Sequence, residues 1–227
     1  MYINTTGIIL REVQYKDTSK ILTVLTGGEG KLTVSAHGAH RKNSKLAAAT
    51  GLLVFSEMTL LKKKDRWTMT EARSVEQFTG LRDDLKLLAL GAYIAELTEA
   101  VSDEDSPNPE LLPLCLNALY ALSEKIKTPE YVKPAFELRL MAISGFEPLL
   151  RLDEKSYSGG NTMEDGVLSL SSGALCVADY ILSCEAKKLF SFSLSDEALS
   201  ELSRKTESYL LAHLDRPFRT LDYFHKI

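Results

Sequence analysis

The sequence contains few of the residue types that fix a protein's class by themselves. Its 227 residues include three cysteines and one tryptophan. Cys115, Cys176 and Cys184 are too few and too scattered for a disulfide framework, and none of them forms a Cys-x-x-Cys pair. We therefore expect reduced thiols, with Cys115 buried as a small hydrophobe in the apolar run "LLPLCLNALYAL".

Long apolar runs are also missing. No stretch approaches the roughly 18 uncharged apolar residues that a membrane-spanning helix needs. The N-terminal "MYINTTGIILREVQYKD" lacks the basic-then-apolar order of a signal peptide. The apolar content of 44% and the charged content of 26% are ordinary for a globular protein of one large or two small domains. These features predict a cytoplasmic protein.

Catalytic constellations are missing too. The histidines and serines show no spacing that pairs a nucleophile with its base. Paired carboxylates at Asp83 and Asp84 and in "DEDS" (103–106) are adjacent in sequence, and adjacent residues on a helix do not face each other. The chain also lacks the His-x-Glu and Pro-Cys-x-x-Cys motifs of zinc deaminases and the clustered carboxylates of metal nucleases. We therefore predict no enzyme activity, no cofactor and no metal site.

The stretch "TGGEGKLTVSAHGAHRKNSK" (26–45) admits three interpretations: a phosphate-binding nucleotide loop, a metal site or a hairpin that carries positive charge. A Walker-type loop fails, because Gly30-Lys31 is followed by Leu32 instead of a hydroxyl residue. His37 and His40, with a glycine between them and no Cys or acidic partner nearby, do not complete a tetrahedral metal site. The sequence thus favours a basic hairpin and loop.

The formal net charge of −4 hides an asymmetry along the chain. Residues 1–78 hold 12 Lys and Arg against 7 Asp and Glu, whereas the remaining residues hold 15 against 24. The first part is therefore basic by five charges and the rest acidic by nine. Charge segregated in this way is typical of a basic binding module attached to an acidic body.

Short β-branched and alternating segments in the basic part predict antiparallel strands. The predicted strands are 4–10, 20–26, 31–37, 52–63 and 66–78. Five strands in under 80 residues suit an OB-type barrel, although SH3-like barrels and other small β-domains have a similar count.

Beyond Leu81 the apolar period changes to 3.6 and predicts a helical bundle. The predicted helices are 81–103, 109–127, 129–146 and about 195–214, with an irregular or β-hairpin insertion at 151–174. The fold class is therefore α+β, with domains at 1–80 and 81–227.

Cationic side chains in the first domain cluster at strand ends and loops, which flank the single-strand groove of an OB-type barrel. The candidate DNA-binding residues are Arg11, Lys16, Lys20, Lys31, His37, Arg41, Lys42, Lys45, Lys62, Lys63, Lys64 and Arg66. Tyr15, Phe55, Trp67 and Phe78 are candidate stacking partners. The alternative is that the lysines only solvate the barrel and that Trp67 is core.

Several quoted segments together resemble the bacterial RecO family of DNA repair and recombination mediators. They begin with "TTGIILREVQYKDTSKILTVLTGGEGKLTVSAHGAHRKNSKL". In the family's order there follow "AYIAELTEA", "FELRLMAISGFEPLL", "LSLSSGALC" and "LDRPFRTLDYF". The resemblance spans nearly the whole chain. It implies an N-terminal OB-fold domain followed by a helical domain.

The resemblance also implies a function and partners. These are binding of single- and double-stranded DNA, annealing of complementary strands and, together with RecR, loading of RecA onto DNA coated with single-stranded-DNA-binding protein. They belong to the RecF pathway and imply a cytoplasmic, nucleoid-associated protein without a membrane partner. The alternative that we keep open is a protein adaptor whose basic loops are incidental and which does not bind DNA.

The resemblance further implies that the acidic, Phe-ended tail of the single-stranded-DNA-binding protein docks on the helical domain. A negative body needs a local basic site for such a tail. Arg139 in "FELRLM" is the candidate, with Lys133 and Arg151 as its neighbours in sequence. The alternative for Arg139 is a surface arginine paired with Glu137 or a carbonyl.

One departure from the family concerns zinc, because many members resemble zinc proteins with two Cys-x-x-Cys pairs. The first pair would fall within "LDEKS" (152–156), which has no cysteine. The second keeps Cys176 but has Asp179 in place of its partner. One thiolate and one carboxylate cannot close a tetrahedral zinc site. We therefore predict a degenerate, zinc-less, zinc-finger-like insertion at 151–180.

Overall fold

The first 76 residues form a closed five-stranded barrel. The structure, a computed structural model, describes residues 1–153 and 166–227. The strands are β1 (Tyr2–Tyr15), β2 (Ser19–Thr26), β3 (Gly30–Ala36), β4 (Phe55–Lys63) and β5 (Arg66–Glu76), and their order around the barrel is β1-β2-β3-β5-β4. All neighbours are antiparallel except β3 and β5. This confirms the predicted OB-type barrel.

β1 pairs with two different strands along its length. Its first half pairs with β4, from Tyr2 with Leu61 to Ile8 with Phe55, and its second half pairs with β2 up to Tyr15 with Ser19. The register shifts between Ile9 and Arg11, as expected for a β-bulge. The second half of β1 is therefore an edge strand, longer than the sequence predicts.

Six helices follow the barrel. They are α1 (Leu85–Val101), α2 (Leu111–Ser123), α3 (Pro129–Ile143), α4 (Ser172–Ser183), α5 (Asp196–Leu214) and α6 (Arg219–Phe224). Asp84 starts α1 by accepting a hydrogen bond from the backbone N–H of Lys86 at 2.7 Å. Pro129 occupies the first turn of α3, where its missing N–H leaves no intrahelical bond unmade. These helices confirm a helical part.

Two apolar cores divide the molecule. One fills the barrel and includes Leu22, Val34, Leu60 and Trp67. The other lies among the helices and continues onto the outside of the barrel, where Ile8, Leu10 and Leu25 belong to it. The barrel therefore rests on the helices through an apolar patch of β1 and β2.

The segment at 149–183 differs in part from prediction. β6 (Leu149–Leu152) and β7 (Val167–Leu170) pair in parallel, so a hairpin between these two strands is wrong. α4 was also not predicted as a helix. Residues 154–165, within the predicted insertion, lie outside the described residues.

No helix within the described ranges combines the length and the apolar character that crossing a membrane requires.

Candidate nucleic-acid interface

One end of the barrel brings together the β1–β2 turn and the loop after β3. The pairing of Lys20 with Ala36 places the two segments side by side, and the backbone N–H of His40 donates to the carbonyl of Thr18 at 2.9 Å. Ala39 is buried in the barrel core and anchors the loop. We call residues 16–18 and 37–45 the basic end.

The loop of the basic end is a series of tight turns that direct polar side chains outward. Gly38 has a φ of +71°, a conformation that favours glycine. The N–H of Arg41 donates to the carbonyl of Gly38 at 3.1 Å, and the N–H of Ser44 donates to that of Arg41 at 2.9 Å. The local glycine and polar composition therefore builds a compact, solvated loop.

Five of the predicted DNA-binding residues lie exposed at the basic end: Lys16, His37, Arg41, Lys42 and Lys45. Among the described residues, no carboxylate lies within ion-pairing distance of the four lysine and arginine side chains. Their charge therefore faces solvent, where an anionic ligand could neutralise it.

Three other predicted DNA-binding residues make internal contacts instead. Lys20 is 9% exposed; its ammonium pairs with the carboxylate of Glu12 and donates to the carbonyl of Thr50 at 3.1 Å. The ammonium of Lys31 donates to the carbonyl of Glu99 at 3.1 Å. Lys20 and Lys31 are therefore not part of the candidate DNA interface.

Arg11 is the third residue with an internal contact. Its guanidinium lies 3.1 Å from the carboxylate of Glu99 on α1, and 61% of its side chain remains exposed. Arg11 therefore links the barrel to the helices while staying open to solvent. We keep it as a secondary contact.

A second group of cations surrounds the β4–β5 turn. Lys63, Lys64 and Arg66 are exposed, whereas the ammonium of Lys62 lies over the ring of Trp67 at 4.9 Å from its centroid. Because Val34 pairs with Trp67 in parallel, the start of β5 lies beside the middle of β3. This group and the basic end therefore flank the same strand, β3.

The predicted stacking aromatics differ in exposure. Trp67 is 6% exposed and Phe78 is 3% exposed, and Phe55 packs against the helical core. The alternative that Trp67 belongs to the core is therefore confirmed. Tyr15, at the end of β1, is 44% exposed.

Two of the predicted tail-binding residues, Lys133 and Arg139, already make ion pairs or hydrogen bonds within the helical part. Lys133 is 3% exposed, and its ammonium lies 2.8 Å from a carboxylate oxygen of Glu137 and 2.6 Å from one of Glu207. Arg139 donates to the carbonyls of Ile181 (3.1 Å), Leu182 and Cys184 (2.6 Å). It thus binds the C-terminal end of α4, as its carbonyl-binding alternative predicted.

Arg151, the third predicted residue, lies exposed on β6, on a different element from Lys133 and Arg139.

Burial strongly affects the ionisation of the group around Lys133. Burial alone would lower the pKa of Lys133, but its two carboxylate partners outweigh burial and raise it. Burial raises the pKa of Glu137, although the charge of Lys133 and hydrogen bonds favour its ionised form. The hydroxyls of Tyr93 (2.8 Å) and Thr206 (3.1 Å) donate to Glu137. The group is therefore a hydrogen-bonded buried ion cluster.

A groove of about 640 Å³ lies above this cluster, between α3, α5 and α6. Leu199, Phe224 and Ile227 contribute apolar surface. Of the basic groups in the lining, Lys86 lies 2.7 Å from Glu130 and His225 lies 3.0 Å from Glu207, which leaves Arg204 as the exposed cation without a described ion pair. Arg204 is not among the residues predicted from the sequence to bind the tail. Its signal was its place on the polar side of α5, opposite the buried Leu199 and Leu202.

The structure describes only some of the residues at the predicted zinc-less site. Cys176 and Asp179 are exposed on α4, whereas 154–156 of the "LDEKS" segment lie outside the described residues. Within residues 1–153 and 166–227, no three His, Cys, Asp or Glu side chains cluster as metal ligands would. The absence of zinc stays a prediction.

The fold defines a class of protein in which an N-terminal OB-type barrel is carried on a helical body. Sequence comparison narrows this class. Residues 1–78 match the family described as "Recombination protein O N terminal", and residues 82–222 match "Recombination protein O C terminal". The chain belongs to the RecO family of DNA repair proteins.

Similar proteins from three organisms support this assignment, and each bears the name DNA repair protein RecO. The one from Acetivibrio thermocellus is 31% identical, over 98% of this chain and 96% of that protein. The one from Caldicellulosiruptor bescii is 30% identical, over 99% and 98%. The one from Symbiobacterium thermophilum is 29% identical, over 97% and 95%. The shared name describes DNA repair and assigns no catalytic reaction.

Proposed function

We propose that this protein is a non-enzymatic recombination mediator that binds DNA through the basic end of its barrel. The observation that supports this proposal is the exposed group of Lys16, Arg41, Lys42 and Lys45, none of which forms an ion pair with a described carboxylate, although Asp17 lies beside Lys16 in sequence. Lysine and arginine on such a surface neutralise phosphates and release condensed counterions, which favours binding of both single- and double-stranded DNA.

Annealing follows from the same physical effect. Two complementary strands repel each other through their phosphates, and a shared cationic surface reduces this repulsion. Lys63, Lys64 and Arg66 supply a second cationic group, which the parallel register of β3 and β5 puts toward the start of β3, whereas the basic end follows the end of that strand. We propose that strands held at the two groups meet and pair, and that together with RecR the protein promotes loading of RecA onto DNA coated with single-stranded-DNA-binding protein.

The proposal is tested by reversing charge at the basic end. In Arg41→Glu/Lys42→Glu we expect an affinity loss of roughly ten- to a hundredfold, because two phosphate contacts become repulsive. Fluorescence anisotropy with a labelled single-stranded oligonucleotide measures the affinity, and quenching of a paired dye measures annealing. The matched control, Lys187→Glu/Lys188→Glu, makes the same charge change at two exposed lysines of the helical part.

The control separates a local effect from a change in net charge. Equal losses in both variants would show that only total charge matters and would remove the basic end as the site. If the unaltered protein does not bind the oligonucleotide at moderate salt, the adaptor alternative replaces this proposal.

We also propose that the acidic tail of the single-stranded-DNA-binding protein docks in the groove between α3, α5 and α6. Arg204 is exposed and lines the same groove as Phe224, a combination that suits a carboxylate next to an aromatic ring. Arg204→Glu should weaken binding of a tail peptide, whereas Arg139→Ala should not. If Arg139→Ala alone weakened binding without unfolding α4, the tail site would lie at Arg139 instead.

A further inference from the structure

Only one of the four candidate stacking aromatics is accessible at the barrel surface where the cations lie. Trp67 and Phe78 are buried and Phe55 packs against the helical core, whereas Tyr15 is 44% exposed. A base can stack only on a ring face that it can reach. Tyr15 is therefore the residue to consider.

The strand register locates Tyr15 within the basic end. Tyr15 pairs with Ser19, and because Lys20 pairs with Ala36, Ser19 is level with His37, the first residue after β3. Adjacent strands are about 4.8 Å apart, so the backbones of Tyr15 and His37 lie about 10 Å from each other. Tyr15 thus stands across the barrel end from the loop that carries Arg41 and Lys42.

The Tyr15 ring has a small side chain and a cation as neighbours. The cross-strand partner of Tyr15 is Ser19, a small and largely buried side chain. The ammonium of Lys16, in the turn that follows β1, lies 5.3 Å from the centre of the Tyr15 ring. An aromatic ring with a cation over one face can hold a base on its other face while the cation contacts an adjoining phosphate.

We propose that Tyr15 is a base-stacking residue that makes the basic end bind unpaired DNA more tightly than duplex DNA. The inference rests on the proposed function and adds its preferred ligand. The bases of a duplex are already stacked and paired, so only an unpaired strand can present a base to Tyr15. Phosphate contacts alone do not make this distinction.

The test compares single-stranded and duplex oligonucleotides of equal length on variants of the full chain. Tyr15→Ala should weaken single-strand binding about 5- to 100-fold and leave duplex binding within about twofold. Its salt dependence should match that of the parent, because losing a stacking contact releases no counterions. Tyr15→Trp should bind single strands at least as tightly as the parent. Tyr120→Ala, at a 51% exposed tyrosine of α2, is the matched control.

A second measurement protects the test against misfolding of Tyr15→Ala. A 2-aminopurine base in the oligonucleotide loses fluorescence when it stacks, so the parent should quench it and Tyr15→Leu, which keeps apolar bulk, should quench it less. Circular dichroism establishes that each variant is folded.

The outcomes separate this inference from the function on which it rests. Unchanged single-strand binding in Tyr15→Ala, together with a loss in Arg41→Glu/Lys42→Glu, would overturn the role of Tyr15 and leave the DNA-binding proposal intact. Equal losses on single strands and duplex would also overturn it, because Tyr15 would then support the loop and not a base. No binding by the parent would overturn both.

Discussion

Lys42 in the barrel loop and Lys133 in α3 carry the same charge in opposite surroundings. Lys42 is exposed at a barrel end without a carboxylate partner among the described residues, whereas Lys133 is 3% exposed and touches two carboxylates. Lys133 therefore contributes to the stability of the helical part, whereas the charge of Lys42 stays exposed to solvent. Neighbours, and not residue type, decide which cation can meet a ligand.

The largest effect should come from breaking the ion cluster in the helical part. Lys133→Met leaves the fully buried Glu137 without its cation, and we expect a loss of about 3–5 kcal/mol in the free energy of unfolding. Urea denaturation measures it. In Lys133→Met/Glu137→Gln the buried charge is gone and the amide oxygen can still accept from Tyr93, so much of the loss should return. A double variant as unstable as the single one would contradict this account.

An intermediate effect is expected where the barrel meets the loop after α1. Gly30 has a φ of +71°, and an added Cβ would lie 2.3 Å from the carbonyl oxygen of Ser106. Gly30→Ala should therefore lower stability by about 1–3 kcal/mol through strain and displacement of that loop. Gly28→Ala, with no atom within 4 Å of the added Cβ, is the control. Equal thermal unfolding of the two variants would argue against this close contact.

A smaller loss of stability is expected when an internally paired cation of the barrel is replaced, and almost none when an exposed one is replaced. Lys20→Met removes the partner of Glu12 and one donor to the carbonyl of Thr50, which should lower stability by about 1–2 kcal/mol. Lys42→Met should change stability by less than about 0.5 kcal/mol. Chemical denaturation of both variants measures the difference. A stable Lys20→Met with weakened DNA binding would return Lys20 to the interface.

Much of the fold was predictable because it depends on local patterns. Alternating β-branched residues predict the five strands, and 3.6-residue periodicity predicts four of the helices. α4 was missed although Ala174, Ala178 and Ile181 have helical spacing, because its residues were assigned to a zinc-like insertion. The parallel pairing of β6 and β7 was not predictable, since it joins segments separated by the intervening chain.

The candidate interface was predictable only in part, because some of its cations are buried by residues that are distant in sequence. The glycine and polar residues of 37–45 predict a solvated loop from local sequence. The burial of Lys20 depends on Thr50, thirty residues away, and that of Lys133 depends on Glu207 on another helix. The pair Lys133 and Glu137, four residues apart on α3, was a readable signal for an internal ion pair.

The most direct test of the account is the salt dependence of single-strand binding. For each phosphate contact, log K should fall with log salt by roughly 0.7. The account predicts a steep slope for the parent, a slope shallower by about 1.4 for Arg41→Gln/Lys42→Gln, and an unchanged slope for Lys187→Gln/Lys188→Gln. A slope that is the same in all three proteins would contradict the claim that the basic end of the barrel holds the DNA backbone.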